Sequence, residues 1–451
     1  MVVWHITTEV FRRFLEGRAT KDEARQVVRH LIGDCAECVA LTRKVVAAFG
    51  TWFPRPGRTG RDESFERVFE NAIGLVAPEK RRLAVERLRG WGLWASLEEL
   101  QPEERTALAL GDRRYHHWGF FRALLDASRS QSLSDPRGAV SIVELALRVS
   151  EILDPAAVGG EESATDLRAK GYGILGNARR LASDLPGARE AINEAWRLLE
   201  EGTGDPLERA QLLSFDASYI RMLGEFETAE TTLEEALQIY TAAGDPHLQG
   251  RTLLQMGSAI GYADPARGIA YVRRALGLIN ISREPRLELC ARHDLAHFLS
   301  DAGQPEEALA ILDRARPLYK QFQDDWTQLR LHWLEGRIAR ALGYLEEAAQ
   351  ILRQVWRGFR GRALYYELVM VSIDLAETYV AQGHHATAAR LIAEVHPILE
   401  AWGIHRKVLA AWLVLQQAVE LRQAANLFSE IRRYLYRCWH TPTEFTREFP
   451  R

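Results

Sequence analysis

Cysteine and methionine are both scarce, at four each in 451 residues. Cys290 and Cys438 stand alone in helix-patterned segments, so no disulfide framework is expected. No stretch approaches the roughly 18 consecutive apolar residues of a membrane-spanning helix. The opening segment, MVVWHITTEVFRRFLEG, has neither a basic leader nor a small-residue cleavage site and does not read as a signal peptide. Charge of one sign is lacking too. The 58 Lys and Arg against 61 Asp and Glu leave −3, which gives no global attraction to nucleic acid or an anionic membrane. No phosphate loop, dinucleotide fingerprint, HExxH or Gly-x-Ser-x-Gly occurs. The histidine pairs at His116 and His384 are adjacent, so on a helix they diverge by about 100° and chelate poorly. The expectation is a cytoplasmic, non-enzymatic chain with no direct nucleic-acid or membrane partner. Arginine far outnumbers lysine, which points to a bacterial source.

What the chain does have is a repeat. Short turns recur as SDPRGA at Ser134, SDLPGA at Ser183, GEFETA at Gly224, ADPARG at Ala263, GQPEEA at Gly303, GYLEEA at Gly343 and GHHATA at Gly383, with successive starts 49, 41, 39, 40, 40 and 40 residues apart. Fixed offsets carry fixed residue types. Five after each turn start lie Ala139, Ala188, Ala229, Gly268, Ala308, Ala348 and Ala388. Nine after lie Val143, Ile192, Leu233, Val272, Leu312, Leu352 and Ile392; twelve after lie Ala146, Ala195, Ala236, Ala275, Ala315, Val355 and Val395. Seven before lie Ala127, Gly176, Ala217, Met256, Ala296, Gly336 and Ala376, with Gly257 an alternative equivalent in the fourth unit.

Two antiparallel helices joined by a tight turn approach closely only where side chains are small. A branched aliphatic residue then fills the groove between them. One such pair cannot bury its apolar face alone, so neighbours stack. The pattern resembles the tetratricopeptide repeat in a longer form of about 40 residues, over roughly Asp112 to Trp402. The fold expected is all-α: a right-handed superhelical solenoid of seven repeats (112–403), with capping helices at 404–440 and a tail at 441–451.

Upstream, the proline- and glycine-rich TWFPRPGRTGRDES marks a linker at 51–62. Residues 63–111 read as amphipathic helices capping the solenoid, with Pro78 and Pro102 at helix starts. Residues 1–50 form a separate small module. Within it, Thr20 and Glu23 make a capping box. The helix they open carries His30 on its last turn, and Cys35 and Cys38 lie on the turn that follows. A Cys-x-x-Cys turn offers two thiolates to one metal, His30 a third ligand, and His5 the fourth that structural zinc requires. A redox pair, buried inert thiols and a merely surface His5 are alternative readings of these residues. The segment resembles the bacterial zinc-binding anti-sigma domain. His5, RFLEG, His30, Cys35 and Cys38 follow that family's order over residues 4–48, with four residues rather than three between His30 and Cys35. The resemblance implies structural Zn and a sigma factor as possible partner.

In tetratricopeptide proteins the first helix of each pair lines the concave face. Read so, the groove collects Asn177, Arg180, Ser214, Ser218, Arg221, Ser258, His293, His297, Trp333, Arg337 and Arg340, with Arg251 and Arg330 one turn earlier. Glu377 is the main acidic residue. Arginine forks suit carboxylates, so an acidic peptide or protein surface is the expected groove partner. The plainer alternative is that these arginines pair with carboxylates of neighbouring helices. The function expected is a bacterial regulatory adaptor. A scaffold subunit of a signalling or defence assembly and a peptide- or ligand-responsive regulator are the other readings.

Overall fold

A computed structural model describes residues 7–15, 20, 23, 27, 81–132, 134–362, 364–401, 406–420, 422, 424 and 427–438. Among them every regular element is helical. The chain divides into two compact units, Met1–Phe215 with Glu235–Pro246, and Asp216–Glu234 with His247–Arg451. The division passes through the helices Pro206–Met222 and Phe226–Ala242.

In the first unit, helix Thr8–Leu15 buries Val10 and Phe11. The capping box forms as read: the Glu23 amide donates to Thr20 Oγ1 at 3.2 Å, and the Thr20 amide to Glu23 Oε2 at 3.0 Å. His5, His30, Cys35 and Cys38, the expected zinc ligands, lie outside the described residues. Residues 81–95 are helical, followed by Pro102–Gly111, Trp118–Gln131, Pro136–Glu151, Glu161–Leu181 and Leu185–Glu201. Pro102 stands in the first turn of its helix. There its missing N–H breaks no helical hydrogen bond. Helices 81–95 and 118–131 meet backbone to backbone: a Cβ on Gly90 would lie 2.0 Å from the Gly119 carbonyl oxygen, and one on Gly119 2.0 Å from that of Glu86. The Arg105 guanidinium takes up the Leu97, Glu98 and Leu100 carbonyls beyond helix 81–95 and stacks over Trp94.

The second unit continues with Pro246–Ile260, Pro265–Leu276, Pro285–Asp301, Pro305–Tyr319, Asp325–Ala341, Leu345–Gly361, Tyr365–Ala381, His385–Ala401, Arg406–Glu420 and Leu427–Cys438. Consecutive helices pair as hairpins, and the first helices 285–301, 325–341 and 365–381 lie side by side.

The repeat positions do what their sizes require. All those five, nine and twelve after a turn start are buried, as are those seven before. A Cβ on Gly176 would lie 2.7 Å from Ile192, on Gly257 2.7 Å from Val272, and on Gly336 2.8 Å from Leu352. Each glycine abuts the branched residue of its own hairpin. Gly257 rather than Met256 is therefore the fourth equivalent, because that loop is one residue shorter. Asp135, Asp184 and Asp264 cap second helices by accepting the amides of Gly138, Gly187 and Arg267, which satisfies otherwise orphaned N–H groups. At the turn itself Gly343 has φ 87°, and Ser183 holds the same left-handed region at φ 64°.

Candidate functional site

The second unit carries a buried polar cluster on its first helices. Ser258 Oγ donates to Asp294 Oδ2 at 2.5 Å, and Arg330 lies 3.8 Å from the same carboxylate. Arg337, only 2% exposed, ion-pairs with Asp301, stands 3.9 Å from Asp374, and donates to His297 Nε2 at 3.2 Å. Trp333 Nε1 donates to Asp374 at 2.7 Å. Arg340 reaches Glu377 at 2.9 Å and Asp374 at 4.0 Å. These bonds form rungs between equivalent helices of successive repeats.

Helix 427–438 closes the cluster. Its Arg432 donates to Asp374 at 2.8 Å and to Glu377 at 2.5 Å. Tyr436, one turn on, packs its ring 4.6 Å from that of Tyr262 and lies near enough to Arg337 for the two to interact electrostatically. Phe428, Ile431 and Leu435 join the apolar core that includes Leu368, Val371 and Trp412.

Burial and neighbouring charge set the protonation states. Burial pushes Asp301 and Asp374 up. For Asp301 the Arg337 charge and His297 more than offset this; for Asp374 the charges of Arg337, Arg432 and Arg340 do. Both carboxyls are held below their ordinary range. Burial, and then the nearby guanidinium charges, keep His293 and His297 below the ordinary histidine value. His297 Nε2 lies 3.2 Å from Arg337 Nη1 and 3.3 Å from Asp301 Oδ2, and burial with the Arg337 charge favours its neutral form. His293 Nδ1 is hydrogen-bonded to the Tyr319 hydroxyl at 2.6 Å.

Seven of the predicted groove residues, Ser258, His293, His297, Arg330, Trp333, Arg337 and Arg340, thus come together. Arg251 sits apart, 3.6 Å from Glu284. Arg221 makes no ion pair among the described residues and lies close enough to Tyr262 and Tyr366 for its charge to act on both. Ser218 is half-buried on helix 206–222. Asn177 and Arg180 belong to the first unit, where the guanidinium donates to its own neighbour's Oδ1 at 2.9 and 3.2 Å.

The expectation that Glu377 is the main acidic residue of the groove is corrected by the structure. Glu377 is not alone: Asp294, Asp301 and Asp374 neutralise the arginines beside them, as the plainer reading held. Asp294 and Asp374 were legible. The position nine before each turn start is Leu125, Ile174, Phe215, Leu254, Asp294, Leu334 and Asp374, with Gln255 the equivalent in the fourth unit once its shorter loop is allowed for, so a carboxylate twice enters a mostly apolar row. Arg432 and Tyr436 lie beyond the repeats, and no register signals them. Among the described residues no group of three or more His, Cys, Asp or Glu is placed to hold a metal ion, and no helix is long and apolar enough to cross a membrane.

The tetratricopeptide repeat family model matches residues 291–314, 329–354 and 369–394. Each match falls across one hairpin of the second unit. Comparison with curated proteins returns no match. Among solved structures, a Rap protein complexed with Competence and Sporulation Factor aligns with 14% identity over 69% of this chain and 85% of that one, with a TM-score of 0.54. Aspartyl phosphate phosphatase F from Bacillus subtilis aligns with 14% identity over 88% and 96%, at 0.49. A Signal Transduction ATPase with Numerous Domains protein with a tetratricopeptide repeat sensor, from Pyrococcus horikoshii, aligns with 17% identity over 81% and 55%, at 0.45. The chain carries tetratricopeptide repeats and shares the helical-repeat fold of the Rap protein.

Proposed function

We propose that this protein is a regulatory adaptor, without chemistry of its own, that takes a protein or peptide partner on the first-helix face of its second unit. The carrying observation is the buried polar cluster on that face. Hairpin stacking needs only small and apolar residues, and four of the other five repeats supply an apolar residue at the position of Asp294 and Asp374: Leu125, Ile174, Phe215 and Leu334. Charged groups buried there fix a specific arrangement of donors and acceptors beyond what stacking requires. The fold shared with a Rap protein solved in complex with Competence and Sporulation Factor supports a peptide or protein as the ligand class. The finer reading adds a zinc-stabilised N-terminal module that engages a sigma factor. It rests on the His5, His30, Cys35 and Cys38 pattern.

The test reverses charge on two faces. Partner capture from the native host is compared for Arg221→Glu with Arg251→Glu, on first helices, and for Arg357→Glu, exposed on a second helix. The first pair should abolish capture and the last should leave it intact. Equal capture by all, with unchanged circular dichroism, removes this face as the binding site.

A further inference from the structure

The first helices of the cluster bring Asp301, Asp374 and Glu377 against Arg337 and Arg340. With His297 neutral, that is three negative charges against two positive. The missing cation is Arg432, from helix 427–438, which bridges Asp374 and Glu377. One helical turn later the Tyr436 ring packs on that of Tyr262. Residues four apart share a helix face, so this helix presents an arginine and an aromatic ring together, flanked by the buried Phe428, Ile431 and Leu435.

The fit is incomplete. Arg340 Nε and Arg432 Nε are both buried and find no acceptor among the described residues.

Resting on the adaptor reading, we propose that helix Leu427–Cys438 is an intramolecular stand-in for the partner. It covers the first-helix face, and the partner is an amphipathic helix with an arginine one turn before an aromatic residue, which enters by displacing it. Six residues, 421–426, join it to helix 406–420. So short a tether holds the helix at a high effective concentration. Apparent affinity for the partner then falls by the fraction of time the face is open.

The probe is a fluorescent peptide of residues 424–440 carrying Cys438→Ser, titrated into the full chain. Loosening the chain's own helix with Arg432→Ala and Tyr436→Ala should raise peptide affinity about tenfold or more over wild type. The same peptide with Arg432→Glu should not bind. Equal affinity for both chains, or undiminished binding of the reversed peptide, overturns the proposal. Should the double variant melt early, Arg432→Lys with Tyr436→Phe replaces it, and a rise of a few-fold is then required. Partner capture separates this inference from the reading beneath it. If Arg221→Glu with Arg251→Glu abolishes capture while loosening the helix does not increase it, the face stands and the displacement falls. If capture ignores those charge reversals, the adaptor reading itself falls.

Discussion

Asp374→Leu tests whether the polar rungs hold the second unit together. Leucine is the residue of the preceding repeat at this position, Leu334, so it suits both the helix and the apolar pattern. Packing alone would therefore make the change nearly neutral. The structure dictates otherwise. Asp374 is 1% exposed, accepts from Trp333 at 2.7 Å and Arg432 at 2.8 Å, and has Arg337 and Arg340 within 4.0 Å. Removing one side of a buried ion pair strands the other, at a cost of roughly 3–5 kcal/mol. The orphaned indole N–H alone would cost about 1–3 kcal/mol, and the two overlap because they share one carboxylate. The expected loss is therefore in the range of a lost buried pair. Adding Arg432→Leu removes one stranded cation, so the double variant should be more stable than the sum of the singles, by roughly 1–3 kcal/mol. Urea unfolding followed by circular dichroism gives the totals, and native-state hydrogen exchange assigns the loss to residues 325–438. A loss below about 1 kcal/mol, less than a typical buried hydrogen bond left unmade, would refute the reasoning.

Gly119→Ala should destabilise the first unit by roughly 1–3 kcal/mol, since its Cβ meets backbone that cannot rotate away; Gly111→Ala, which meets nothing within 4 Å, should be neutral in the same thermal melt. His293 and His297 have folded pKa values below their unfolded ones, so only the unfolded chain takes up their protons as pH falls below about 6.5. Stability should be full above that pH and fall beneath it by up to roughly 1.4 kcal/mol per unit for each histidine. His293→Gln with His297→Gln should flatten the slope between pH 7.5 and 5.5, whereas an unaltered slope would dismiss both rings as its source. Protein purified without chelator should carry zinc by elemental analysis and lose it in Cys35→Ser; a metal-free wild type refutes the ligand set.

The hairpins were legible because close helix approach leaves one kind of trace, a small residue at a fixed distance from a turn. Ala308, Ala348 and Ala388 all sit where that rule placed them. Even the slip in the fourth unit was readable, since Gly257 stands one residue from the nominal Met256. Site legibility was partial. Arg337 and Arg340 were found by position, but Asp374, which lies beside both, and Asp294, beside Arg330, were not, because they occupy a row that is otherwise mostly apolar. A carboxylate in such a row is itself the signal, since burial without a counter-charge is too costly to persist. Arg432 and Tyr436 left no such trace. A helix outside the repeat has no register, so its amphipathic pattern tells that it buries a face and not which surface receives it.

The rungs also forbid shuffling. Excising residues 325–364 would remove one forty-residue period and leave the turns, alanines and glycines on either side in phase. Yet the residue forty beyond Arg337 is Glu377, and forty beyond Arg330 is Met370. At the new junction Asp301 would confront a carboxylate, and Asp294 a thioether. Modules alike in backbone are thus keyed by charge to particular neighbours, and unequal crossover within this gene would yield a chain of sound hairpins that repel where they join.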